Sequence, residues 1–132
     1  MRIAITGASG NVGTALLRAL PDAEVVAIAR RPPLADREPY ARAHWVACDI
    51  GDPAARPTLA AAFDGVDALV HLAWAVHPRR SDPPLERTNR IGTDHVLGAV
   101  ADSGVTHPTV ASSVAAYSPA PRWTRVDEPA RC

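Results

Sequence analysis

The sequence predicts an α/β fold built on a doubly wound parallel sheet of about five strands in the order 3-2-1-4-5, and three observations predict it. Short apolar runs alternate with stretches whose apolar residues recur at helical spacing. A glycine-rich turn, Gly7-Ala8-Ser9-Gly10-Asn11-Val12-Gly13, joins the first run to the first helical stretch. The prolines fall mainly in 32–39, 53–57, 78–84 and 119–129, between the apolar segments, where they punctuate elements.

Taken in order, Arg2 to Thr6 is an apolar run that ends at Gly7 and reads as a strand. Val12, Ala15, Leu16, Ala19 and Leu20 then mark a helix that stops at Pro21. Glu24 to Ala29 is a second buried-type strand, so the first 29 residues form one βαβ unit with a right-handed crossover. Residues 30 to 43 read as a polar, proline-bearing loop, with Tyr40 and Trp45 in or beside it and without companions. A strand follows at His44 to Cys48, then a short helix capped by Asp52-Pro53 and running to about Phe63. Asp64-Gly65 is a turn into a strand at Asp67 to Leu72. Asp82 and Pro83 start a long helix whose inner face carries Leu85, Asn89, Gly92, Val96, Ala99 and Val100 as far as about Ser103. Thr109 to Ser112 is expected as the fifth strand, residues 1–117 as one domain, and residues 118–132 as an irregular tail.

Composition narrows the possible functions. The 132 residues are 47% hydrophobic and 21% charged with a formal net charge of zero, which offers no field to draw in nucleic acid or an anionic membrane. All fourteen basic residues are arginine, so the chain has no lysine. Cys48 and Cys132 lie far apart and form no CxxC pair, and the five histidines show no ligand spacing, so no metal site is predicted. With no signal peptide pattern and no apolar stretch of membrane-spanning length, the expected setting is the cytoplasm.

In a sheet of this kind, ligands bind beyond the carboxyl ends of the strands. The candidate site residues are therefore Gly7 to Gly13, Ala29 to Arg31, Asp49 and Ile50, Leu72 to Trp74, and Ser112-Ser113. Glycines let backbone approach a pyrophosphate closely, and the helix that follows offers unpaired N–H groups of partial positive charge. The spacing here is GxxGxxG, set between a strand and a helix as such a site requires. Where an acid would select the 2′-hydroxyl of NAD, this strand ends in Arg30-Arg31; two guanidinium groups favour the 2′-phosphate of NADP, with solvated surface charge as the other reading. Asp49 is placed to accept from an adenine amino group while Ile50 packs on the ring, a helix cap being the alternative for Asp49. Trp74 is read as a pocket wall or a core indole. Asn89 and Gly92 sit on the apolar stripe of the long helix, where a buried amide must find backbone partners.

Thr6 to Gly13, Cys48-Asp49-Ile50, His71-Leu72-Ala73-Trp74, Asn89 and Ala111 to Pro119 together resemble the extended short-chain dehydrogenase/reductases, the NAD-dependent epimerase/dehydratase family. The resemblance runs from Ile3 to about Glu128. It implies a Rossmann-type domain in which Gly7, Gly10 and Gly13 cradle the pyrophosphate, Asp49 and Ile50 meet the adenine, and Ala73 borders the nicotinamide ribose. It implies that Ser113, four residues before Tyr117, hydrogen-bonds the reacting hydroxyl or carbonyl of a small substrate such as a nucleotide sugar, and that dimers form through paired helices. The family's Tyr-x-x-x-Lys pair, in which lysine lowers the tyrosine pKa, has no counterpart in a chain without lysine. The sequence is accordingly expected to correspond to the front portion of such an enzyme, with an open fifth strand, marginal stability and a tendency to associate. A dinucleotide-binding module without turnover is the competing expectation.

Overall fold

In a computed structural model of the chain, which describes residues 1–76, 85–113, 116, 118 and 121–123, the apolar runs become five parallel strands of one sheet. They are β1 (Arg2–Thr6), β2 (Glu24–Ala29), β3 (His44–Ala47), β4 (Ala68–His71) and β5 (His107–Val110), in the spatial order β3-β2-β1-β4-β5. The expected fold class and strand order are those observed. Central β1 pairs with β2 from Arg2 opposite Glu24 to Thr6 opposite Ile28, and with β4 from Ile3 opposite Ala68 to Thr6 opposite His71.

The helices are α1 (Asn11–Ala19), α2 (Ala55–Ala62) and α3 (Gly92–Ser103), the last entered through a wide π-helical turn at Arg87–Ile91. Alternation along each strand sends side chains to two layers. Ile3 and Ile5 of β1 and Val25 and Ala27 of β2 pack with Leu17 of α1. Ala4, Val26, Ile28 and Leu69 point to the other face, against Leu59 of α2, Phe63 just after it, and Val96, Ala99 and Val100 of α3. Arg56 of α2 donates two hydrogen bonds to Asp102 of α3, at 2.7 and 2.8 Å, and ties these neighbours together at the surface. Gly104, at φ +75°, ends α3 by donating its N–H to Val100.

Four expectations need correction. The cap position of α2 is Ala54; Asp52 lies two residues earlier, accepting from Ala54 N at 2.8 Å through its carboxylate and from Ala55 N at 2.9 Å through its carbonyl. β5 begins two residues before Thr109, because Pro108 is tolerated on an edge. Ala111 N–H donates to His71, so strand alternation turns the nitrogen of Pro108 away from β4. Tyr40 and Trp45 do have companions: their rings meet edge to face at 5.9 Å, Trp45 Nε1 donates to the Tyr40 carbonyl, and the Tyr40 hydroxyl meets Thr14 Oγ1 at 3.1 Å. The helix predicted to be continuous widens into a π turn before Gly92; its expected start at Asp82-Pro83 lies outside the described residues, as does Tyr117. No helix among the described residues is long and apolar enough to cross a membrane.

Candidate functional site

The chain leaves β1 at Thr6 and turns at once, with Gly7 in the left-handed region at φ +72°. Its N–H donates to Ile28 of β2 at 2.9 Å, and its missing side chain lets the turn lie flat on the segment after β4. A Cβ on Gly7 would meet Ala73 N at 2.8 Å, and one on Gly13 would meet the Gly7 carbonyl oxygen at 2.5 Å and Ala8 Cα at 2.6 Å. The two glycines thus press the start of α1 down onto β1 and β4. Gly10, in extended conformation, occupies the cap position, and no side chain caps it and no acid occupies the first turn. The first N–H groups of α1 therefore have neither an intrahelical acceptor nor a neighbouring carboxylate, an arrangement that favours an anion.

Above this turn a cavity of about 690 Å³ runs along the carboxyl ends of the strands. Gly7, Ser9 and Gly10 form its base, and Ile28 to Arg31 at the end of β2 form one wall. Cys48 to Ile50 after β3 and Leu72 to Ala75 after β4 form the others, with Arg87 and Thr88 closing the side from the π turn. Eleven predicted site residues are thereby brought together: Gly7, Ser9, Gly10, Ala29, Arg30, Arg31, Asp49, Ile50, Leu72, Ala73 and Trp74. Trp74 is 63% exposed, a wall and not a core indole.

The remaining predicted residues lie around the cavity and not on its lining. Ala8 is fully buried against the α1 layer, Gly13 is buried beneath the turn, and Asn11 and Val12 are exposed on the first turn of α1. Asn89 has both ends of its amide engaged: Nδ2 donates to the Ala75 carbonyl at 2.9 Å and Oδ1 accepts from Ala75 N at 2.7 Å. It holds the strand-end loop that forms the wall. Ser113 is exposed, three residues beyond β5.

Asp49 is more constrained than its sequence context indicates. Its Oδ1 accepts from Gly51 N at 3.0 Å and its Oδ2 from Arg87 Nη2 at 3.2 Å, while Arg87 Nε donates to the Gly51 carbonyl at 3.0 Å. Sequence reasoning missed Arg87, because residues 38 positions apart carry no local sign of their contact. It also missed Thr88 and Ala75 as lining residues. The Cys48 thiol stands in the wall with its pKa pushed up, first by burial and then by Asp49 and Asp52, so it stays protonated and weakly nucleophilic.

Beneath the cavity, His71 Nδ1 lies 2.5 Å from Thr6 Oγ1 and Nε2 lies 3.0 Å from Thr93 Oγ1. Thr6 Oγ1 also accepts from Ala73 N at 3.3 Å, which ties the start of the loop after β4 to the same pair. Burial pushes the His71 pKa down and keeps the ring neutral. This buried chain links β1, β4 and α3.

A profile of the NAD dependent epimerase/dehydratase family matches residues 3–131. An uncharacterized protein of Mycobacterium tuberculosis is 41% identical over 106 residues, 79% of this chain and 11% of that protein. The NAD-dependent glucose-6-phosphate dehydrogenase of Haloferax volcanii is 32% identical over 111 residues, 84% of this chain and 42% of that protein. Among solved structures, a point mutant of uronate dehydrogenase from Agrobacterium tumefaciens complexed with NAD superposes with a TM-score of 0.76 at 27% identity, over 98% of this chain and 48% of that one. MoeE5 in complex with UDP-glucuronic acid and NAD gives 0.74 at 27% identity, over 92% of this chain and 40% of that one. The chain thus spans less than half the length of each of these relatives.

Proposed function

The chain belongs to the NAD dependent epimerase/dehydratase family, and from that premise we propose that its strand-end cavity binds a nicotinamide dinucleotide, with NADP preferred over NAD. The observation that carries this reading is the glycine turn: the positions where a Cβ would collide are those that bring open helix amides to the floor of the cavity. Gly7, Ser9 and Gly10, with the amides of Asn11, Val12 and Gly13, would hold the pyrophosphate. Asp49 and Ile50 would meet the adenine, and Leu72, Ala73 and Trp74 would border the nicotinamide half. The volume of about 690 Å³ suits a ligand of this size. The preference for NADP rests on Arg30 and Arg31, which line the wall where β2 ends, because guanidinium groups pair well with a phosphate. Residues 1–117 would form the dinucleotide-binding unit.

Three of the relatives named above are a glucose-6-phosphate dehydrogenase, a uronate dehydrogenase and a protein solved with UDP-glucuronic acid. By extension, the reaction assigned here is hydride exchange with a carbon bearing a hydroxyl or carbonyl group of such a substrate. The nicotinamide ring would supply the hydride acceptor or donor, and Ser113 would hydrogen-bond the reacting oxygen. One observation favours a second reading for this polypeptide: with no lysine in 132 residues, nothing can fill the lysine's role in a Tyr-x-x-x-Lys pair. Binding without efficient turnover is therefore the function we assign to these residues by themselves.

Calorimetric titration with NADPH and NADH tests the reading. Micromolar binding of both, tighter for NADPH, is expected, and Arg30→Ala with Arg31→Ala should remove about tenfold of the NADPH affinity and little of the NADH affinity. Failure of the folded chain to bind either nucleotide would refute the function, and tighter binding of NADH would refute the NADP preference alone. Rapid oxidation of a sugar hydroxyl by this chain would refute the non-catalytic reading.

A further inference from the structure

We propose that Arg87 is a positioning residue for base recognition, locking the Asp49 carboxylate as an acceptor that selects an adenine-type amino group over a carbonyl. The inference rests on the dinucleotide-binding reading above and adds to it a residue from outside the strand-end motifs.

The argument starts from charge. Asp49 is the one acidic side chain among the described residues lining the cavity, and a dinucleotide's pyrophosphate would add two negative charges to the same space. An unpaired carboxylate there would repel the ligand. Arg87 neutralises it through Nη2 at 3.2 Å, while its Nε–H donates to the Gly51 carbonyl at 3.0 Å, so the guanidinium is held at two points. Gly51 N–H closes the ring on Oδ1 at 3.0 Å. Both charged side chains are about one-third exposed, 33% for Arg87 and 32% for Asp49, so the pair is held by its partners yet still faces the cavity.

Two donors occupy one lone pair on each carboxylate oxygen and leave about two acceptor positions for a ligand. The backbone beneath is clamped by the same helical segment. Gly92 lies so close to Ile50 that a Cβ would stand 2.7 Å from its Cγ1, and His95 Nδ1 meets the Ile50 carbonyl at 2.8 Å. A Cβ on Gly51 would meet the Arg87 side chain at 2.9 Å, so a residue with a side chain there would push Arg87 off the pair. Fixed in this way, Asp49 accepts hydrogen bonds and has no proton to donate. An exocyclic amine satisfies it, whereas a carbonyl at the same ring position places two acceptors face to face.

The test compares NADH with its hypoxanthine analogue, reduced nicotinamide hypoxanthine dinucleotide, by calorimetry on the whole chain, in the native protein and in Arg87→Ala, Arg87→Lys and Asp49→Asn. The native protein should prefer NADH by about tenfold or more. Arg87→Ala should bring that ratio close to one, Arg87→Lys should restore part of it, and Asp49→Asn should abolish it. A merely structural role for Arg87 would weaken both nucleotides equally and leave the ratio intact, which would overturn the proposal. So would a native protein that binds both nucleotides equally well. Loss of all nucleotide binding in the native protein would instead remove the function on which the proposal stands. If Arg87→Ala does not fold, the ratio in Arg87→Lys decides: an unchanged preference with a weakened ion pair counts against the assignment.

Discussion

His71 is the residue whose protonation the fold most directly opposes. It is 3% exposed, sits between two threonine hydroxyls, and has its pKa lowered by burial. As pH drops below the usual histidine value of about 6.5, the unfolded chain takes up a proton that the folded chain refuses until its own lower pKa is reached. The contribution to stability is therefore complete above that value and is lost progressively as the solution is acidified through the window below it. Thermal midpoints measured across this range should fall more steeply with acidification for the native protein than for His71→Gln, and equal slopes would assign the effect to other groups. The sequence marked His71 as a strand-end residue without revealing this environment, because Thr6 and Thr93 come from distant elements. Trp74 illustrates the same limit. A tryptophan after a strand is equally compatible with wall or core, and only its exposure separates them.

The first βαβ unit was legible in detail because every element in it is specified locally. Strand, glycine turn, helix and proline stop follow one another within 21 residues. Gly13→Ala tests how tightly this unit is built. The new Cβ would meet backbone atoms of Gly7 and Ala8 at 2.5 to 2.6 Å, and backbone cannot swing aside as a side chain can. A loss of about 1–3 kcal/mol in urea unfolding is expected from such overpacking, together with weakened nucleotide binding. An unchanged midpoint would show that α1 can lift from the sheet at little cost. Less legible was the entry to α3, where a regular helix was expected and a wide turn occurs. From that turn Arg87 reaches the loop after β3 and Asn89 the loop after β4, long-range contacts that neither hydrophobic periodicity nor a capping pattern encodes.

At the scale of the whole molecule, β5 is one of the two edges of the sheet. All four of its residues are exposed, Val110 at 47%, and among the described residues no further strand pairs with it. An unprotected edge presents backbone donors and acceptors to any other strand, so concentration-dependent association of this 132-residue chain is expected in sedimentation experiments. Thr109→Lys should reduce it, and indifference to that charge would place the association elsewhere. The sheet order and its two covered layers followed from alternating periodicities, whereas the cavity's dimensions depend on how separate loops meet.

That dependence reaches the folding equilibrium itself. The cavity draws on five stretches of chain, around residues 7, 29, 49, 73 and 87, which converge only when the sheet is assembled. An unfolded chain therefore offers its occupant almost nothing. By mass action an occupant at a hundred times its Kd would add about 2.7 kcal/mol to the native state. A protein built in this way is expected to be sturdiest where the proposed small-molecule companion is abundant.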